Sequence, residues 1–257
     1  MSNNKRNPLR TPPLRQAGQS VDAELNRLID DVALPYYMIA VFCVLLAGLE
    51  WWRYYWQHPP NPWLLTAVAV LAILVAIVKV TGVVRRARNL KLGRDGERAV
   101  GQFLERMRTR DFRVFHDIQQ DSFNVDHVLV GPTGVYTVET KTRRFPKRGF
   151  PKVTYDGEQV LVNGWKPDRD CVAQAIQQAI TLRQLIQRVA RVETWVQPIV
   201  VFPGWIVEAL PSDKKPTVWV MAPTDLPERI ANQPVKLSPE EVKAISSCIA
   251  NYCGSIA

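Results

Sequence analysis

Hydrophobic and polar positions follow three regimes along the chain. Residues 1–20 are polar, basic and proline-containing with no periodicity, so they are expected to be disordered. Val21 to Ala33 has the spacing of a short amphipathic helix at a membrane surface. Leu34 to Trp56 and Trp63 to Val84 are then almost continuously apolar, about 22 residues each, enough for helices rising about 1.5 Å per residue to cross a hydrocarbon layer of about 30 Å. Gln57-His58-Pro59-Pro60-Asn61-Pro62 can continue neither helix, so the runs are expected to form a transmembrane hairpin. From about Leu90 the pattern becomes that of a mixed α/β domain. It predicts a helix over Asp95 to Arg110, a strand over Phe112 to Ile118, a strand pair around Gly131-Pro132-Thr133-Gly134, and over Val153 to Val162, centred on Asp156-Gly157, a second hairpin or an extension of the sheet. A long helix over Arg169 to Arg191, strands over Trp195 to Phe202 and Thr217 to Met221, and a closing helix over Pro239 to Tyr252 complete it. The expected class is α/β, an α+β mixed sheet, with three parts: a polar tail and amphipathic helix over 1–33, two spans over 34–84, and a domain over 90–257.

The first hairpin is where the pattern carries chemistry. A turn centred between Pro132 and Thr133 pairs residue 131 with 134, and the same register sets Asp126 opposite Glu139. Opposed residues of an antiparallel pair share a face at about 5 Å between Cβ atoms, which suits two carboxylates on one divalent cation. Strand side chains alternate, so Lys141 joins that face while Thr140 and His127 turn away. A turn one residue longer would undo the register. The surrounding Val135, Tyr136 and Val138 are apolar on both faces, as in a central strand, where two acids and a lysine are costly to bury unless paired or holding a cation. Periodicity alone leaves a metal site and a structural ion pair equally open.

Composition adds a direction. Trp51, Trp52, Tyr54, Tyr55, Trp56 and Trp63 gather at the hairpin turn as an interfacial belt would. Arg85, Arg86, Arg88, Lys91 and Arg94 follow the second span, and Lys5, Arg6, Arg10, Arg15 and Arg27 precede the first, while Arg53 alone lies near the connector. Both termini are therefore expected on the cytoplasmic side of the inner membrane. A buried core hairpin of a soluble protein is the competing explanation, but two adjacent runs exceed the usual length. The late start of the first run favours a retained anchor over a cleaved leader. Cys43, Cys171, Cys248 and Cys253 form neither a disulfide framework nor a zinc pattern and are expected to be reduced thiols.

Gly93-Arg94-Asp95-Gly96-Glu97 opening a helix, Asn124-Val125-Asp126-His127, Gly131-Pro132-x-Gly134-Val135 and Glu139-Thr140-Lys141, in this order, resemble the nuclease-related domain (NERD) family. That family belongs to the PD-(D/E)xK restriction-endonuclease-like superfamily, and the resemblance covers roughly residues 90–200. It implies a restriction-endonuclease-like core and divalent-metal-dependent hydrolysis of DNA, or of RNA, with magnesium as the expected ion. By position it makes Asp126 and Glu139 metal ligands, Lys141 the catalytic lysine, and Glu97 and Gln174 further catalytic residues. The family often carries Asn-Pro ahead of that glutamine, where this chain has Asp170-Cys171. Glu97 would equally suit the dipole of a helix N-terminus without any role in chemistry. The rival function is a silent nucleic-acid-binding, scaffold or signalling module on the same fold.

The segment after Lys141 contains Arg143, Arg144, Lys147, Arg148 and Lys152, interleaved with Phe145 and Phe150 and free of acids. It suits a phosphate backbone with stacked bases, a solvated loop, or anionic lipid beside the anchor. The net charge of +9 supports a polyanionic partner, nucleic acid or membrane lipid, without choosing between them. His127 is expected to be structural rather than a general base, and His116 shows no evident partner in the sequence.

Overall fold

The structure is a computed structural model that describes residues 19–56, 62–119, 124–146, 148–211 and 216–255. It divides into two compact units, Ser20–Leu92 and a second one that takes in Gly93–Ala257.

The first unit is helical. Helix α1, Gln19–Arg27, continues through a π-helical turn, Leu28–Ala33, into α2, Leu34–Tyr55. The last proline of the connector opens α3, Pro62–Leu104. Within the unit α2 and α3 run antiparallel. Trp51 Nε1 donates to Thr66 Oγ1 at 3.1 Å near the turn, and the Lys79 ammonium lies 5.8 Å from the Tyr36 ring centre at the other end. Ala69 and Ala76, seven residues apart on α3, are buried where small side chains let helices approach. Phe42, Leu45, Leu71 and Val78 are exposed, an apolar exterior that water disfavours and lipid accepts. Among the described residues two helices are thus long and apolar enough to cross a membrane. The sequence pattern separates the second span from the Asp95 helix, whereas α3 is continuous from Pro62 to Leu104. Its basic segment is rich in good helix formers and holds no proline, so nothing in it breaks the helix.

The second unit is built on a five-stranded mixed sheet. Strands β1 (Arg113–Gln119), β2 (Asn124–Gly131) and β3 (Gly134–Thr140) form an antiparallel meander. The small antiparallel pair β4 (Lys152–Tyr155) and β5 (Val160–Val162) follows, and helix α4 (Cys171–Val189) then returns the chain to β6 (Val196–Val201), parallel to β3. Strand β7 (Ile206–Ala209) joins β4, and β8 (Trp219–Met221) completes the large sheet beside β6, giving the order β1-β2-β3-β6-β8. Helices α5 (Leu226–Ala231) and α6 (Pro239–Ser255) end the unit. The alternation of β2 and β3 sends Val128, Val130 and Val135 to one face, under α4 and α6. Leu129, Tyr136 and Val138 go to the other, with Val100 and Leu104 of α3 and Leu226 and Ile230 of α5. Strand β3 is wholly buried, as a central strand with covered faces must be.

The β2–β3 register is the expected one: Gly131 pairs with Gly134 and His127 with Val138. Two further features hold this turn. A Cβ on Gly131 would lie 2.4 Å from Phe112 Cδ1, so only glycine fits, and the Pro132 carbonyl accepts from Lys236 N at 2.8 Å and Leu237 N at 3.0 Å. The short strand β7 and helix α5 are elements that the pattern alone does not predict; four and six residues carry too little periodicity to register.

Candidate active site

Three backbone devices bring separate stretches of sequence to the end of β3. The first is Gly96, where a Cβ would lie 1.8 Å from Thr142 Oγ1. Its missing side chain lets α3 approach the segment leaving β3, and the next residue on α3 is Glu97. The second is the parallel pairing of β3 with β6, prolonged by Lys141 N donating to Val201 O at 2.9 Å, which fixes the backbone of the lysine. The third is Asp170, the N-cap of α4, whose Oδ1 accepts from Val172 N and Ala173 N at 3.0 Å each. Aspartate here performs the capping that asparagine can, so α4 starts at Cys171 despite the Asp170-Cys171 departure, and Gln174 lies one turn into the helix.

The side chains then converge. Lys141 Nζ donates to Glu139 Oε1 at 2.6 Å and to Gln174 Oε1 at 2.8 Å, while Gln174 Nε2 donates to the same Glu139 Oε1 at 2.7 Å. Glu139 Oε2 accepts from Gln178 Nε2 at 2.6 Å, and that amide also donates to Asn124 O at 2.8 Å. Asp126 Oδ2 accepts from the backbone N–H of Thr140 at 2.7 Å, next to Glu139. Glu139 and Gln178 are almost wholly buried.

Electrostatics distinguish this group from a finished ion-pair network. Burial first, then the Glu139 and Glu97 charges, push the Asp126 carboxyl well above the ordinary aspartate range, against the opposing Thr140 hydrogen bond and Lys141 charge. Glu97 is raised to about 7 by burial, then by Asp117 and Glu139, with Lys141 opposing. Lys141 opposes both shifts without cancelling them. Hard carboxylate oxygens gathered in this way suit a divalent cation of the magnesium type. Among the described residues, however, no three His, Cys, Asp or Glu side chains close into a ready cation cage.

Gln178 and Asp117 belong to this neighbourhood without having been singled out by sequence. Gln178 had a readable signal: it interrupts the apolar face of α4 between Ala175, Ala179 and Leu182, four residues after Gln174. Asp117 had none. It is set opposite Asp126 by the β1–β2 register that pairs His116 with His127 and Ile118 with Val125, and it carries a φ of 50°.

His116 and His127 form a separate group. His127 turns away from Asp126, as expected, and is wholly buried. His116, which has no evident partner in the sequence, has two in the fold: its Nδ1 lies 2.9 Å from His127 Nδ1 and its Nε2 2.8 Å from Glu105 Oε1. The partners come from across the strand pair and from the 3-10 turn Glu105–Arg110, neither of which local sequence can show. Burial, then His116, hold His127 well below the ordinary histidine value. Burial alone would raise Glu105, but hydrogen bonds from His116 and Arg108 outweigh it and hold that carboxyl low.

The basic segment is more varied than its sequence. Arg143 is partly buried, Arg144 and Arg148 are exposed, and Lys147 lies outside the described residues. Lys152 starts β4 and pairs with Glu208 Oε2 on β7 at 2.7 Å. The four cysteines are free thiols.

A mixed sheet with Glu-x-Lys at the end of a central strand, an aspartate on its hairpin partner and a glutamine from the crossing helix defines a nuclease-like α/β core. Residues 92–203 match the family model of the nuclease-related domain (NERD), and this part of the chain is a nuclease-related domain. No curated protein and no solved structure matches the chain.

Proposed function

We propose that the chain is a membrane-anchored nuclease that hydrolyses phosphodiester bonds in DNA, or RNA, on the cytoplasmic side of the inner membrane. The observation that carries this reading is the gathering of the buried Glu139 and the half-buried Asp126 and Glu97 around Lys141, with Asp126 and Glu97 held above their ordinary range. Asp126 and Glu139 would hold a divalent cation, magnesium by the hardness of the donors, with Glu97 beside them. Such an ion, when bound, supplies Lewis-acid polarisation of a phosphate and a lowered pKa for a water molecule. The protein's own part is positioning and charge. Lys141 is aimed by Gln174 and Glu139, and its ammonium can meet negative charge developing on the phosphate oxygens. Gln178 ties the Glu139 carboxylate to the start of β2 and so holds its orientation. The apolar hairpin of α2 and α3, with basic residues flanking it, supports the anchor.

The test is cleavage of linear DNA by the full chain in detergent with magnesium, which Lys141→Ala and Glu139→Gln should each abolish. Undiminished cleavage in both variants would refute the assignment. One observation favours the second reading, a binding module without turnover: both oxygens of Glu139 are already taken by Lys141, Gln174 and Gln178. DNA binding that weakens with salt, without metal-dependent cleavage, would select it.

A further inference from the structure

The acidic centre leaves the small sheet β5-β4-β7 without a role. Strands β4 and β5 lie on the excursion between Lys141 and Gln174, whose Nζ and Oε1 are 2.8 Å apart, so the excursion is fastened to the centre at both ends. Its inner side is core: Val153, Tyr155 and Val160 pack with Cys171, Val172 and Trp205. Two large aromatics on it are not used by that core, Phe150 at 82% exposed and Trp165 at 80%. Phe145 differs, since its ring packs 5.9 Å from Trp205.

Neither exposed ring hangs on a featureless loop. Val162 and Trp165 exchange backbone hydrogen bonds of 2.9 and 3.0 Å around Asn163-Gly164, whose φ values of 50° and 81° make a two-residue turn with both central residues left-handed. Asn163 is fastened in turn to β4: its N–H donates to Lys152 O at 2.8 Å, and its Oδ1 accepts from Lys152 N at 3.1 Å. Phe150 precedes Pro151, whose carbonyl accepts from Ile206 N of β7 at 2.9 Å. Aromatic rings on an ordered backbone lose little entropy on binding. Residues 142–169 also carry seven Lys and Arg against three Asp and Glu, complementary to a polyanion.

We propose that Trp165 and Phe150 form a base-stacking platform that gives the domain a preference for nucleic acid with unpaired nucleotides. The physical reason is that a duplex offers base edges to its grooves, whereas an unpaired base offers its face to an aromatic ring. Basic side chains hold the phosphate backbone without regard to sequence, so the rings supply the discrimination between strand states. The proposal rests on the nuclease reading for the kind of polyanion, yet binding can be measured apart from turnover. A lipid surface would also take exposed rings and basic residues, but tethering the rings between two side chains of the buried centre serves a bound strand and not a bilayer.

The experiment uses the full chain in detergent micelles with chelator present. Fluorescence anisotropy reports binding to a labelled oligothymidine of about twenty nucleotides and to a duplex of equal length, long enough for the site sizes of stacking grooves. Trp165→Ala and Phe150→Ala should each weaken single-strand binding about tenfold and leave duplex binding within about twofold, while Trp165→Phe keeps most of the affinity. Unchanged single-strand binding in the double alanine variant, or an equal loss on both probes, would overturn the platform. So would quenching by brominated lipid of the fluorescence that Trp165 contributes, measured as wild type minus Trp165→Phe in reconstituted bilayers. Adding magnesium separates the two readings. Cleavage indifferent to strand state and to the variants leaves the nuclease standing and removes the platform; selective binding without cleavage does the reverse.

Discussion

The same β1–β2 pair carries two buried polar groups, and they have settled their electrostatics in opposite ways. On one side Glu105, His116 and His127 form a chain in which the carboxyl is held low by its donors and the inner histidine is kept neutral. On the other, burial, Glu139 and Glu97 push Asp126 up, and burial, Asp117 and Glu139 push Glu97 up, with Lys141 too little to offset them. Charge is balanced in the first group without help, whereas the second carries a conflict that an added cation would relieve. The difference separates a structural polar cluster from a candidate reactive one, although both are buried and lie on neighbouring residues.

The largest expected effect of breaking this contrast is on chemistry. Lys141→Ala should lower the DNA cleavage rate of the full chain at least about a hundredfold, as loss of one charge-stabilising donor commonly does. His127→Asn, measured beside it, should leave the rate within a few-fold. Equal losses would erase the distinction. Gln178→Leu comes next, because it strips a donor from Glu139 and from the Asn124 carbonyl; cleavage should fall about tenfold, with unfolding costs of about 1–3 kcal/mol for the unpaired groups. A rate loss without any change in the concentration of magnesium needed for half-maximal activity would argue against its holding Glu139 in place.

A third test uses pH. Glu97 is raised from 4.5 to about 7 in the folded chain, so the native state binds its proton more tightly than the unfolded state does. That contribution to stability is complete below 4.5 and is lost as pH rises through about 7. The metal-free chain should therefore show a falling thermal midpoint across this window, and magnesium should restore it most at the alkaline end, where the carboxylates are charged. Glu97→Gln should flatten the profile; a profile unchanged by the substitution would assign the slope elsewhere. The smallest effect is expected in the settled group. Glu105→Leu leaves the buried His116 N–H and part of Arg108 without an acceptor, a cost of about 1–3 kcal/mol seen in thermal unfolding, with cleavage kinetics unaffected.

Much of this was legible in the chain, and the reason is that its strongest signals are local. The turn Gly131-Pro132-Thr133-Gly134 fixes its own register, and from that register follows the shared face of Asp126, Glu139 and Lys141. The Gly96-Glu97 pair was readable as a motif, but its purpose was not: the glycine matters because Thr142 approaches it across 46 residues of sequence. His116 looked partnerless for the same reason, since Glu105 and His127 reach it through a helix end and a neighbouring strand. Strand β7 and helix α5 were invisible because elements so short exist only where other elements hold them.

The sequence by itself determined the two apolar helices, the hairpin register and which acids and lysine share a strand face, because periodicity and turn chemistry act over a few residues. Only the tertiary structure decided that Gln174 and Gln178 meet Glu139, that Asp117 presses on Glu97 while Glu97 and Glu139 press on Asp126, and that Trp165 stands exposed on a hydrogen-bonded turn. Those outcomes depend on contacts between distant segments, and burial and charge crowding have no value until the segments have been packed together.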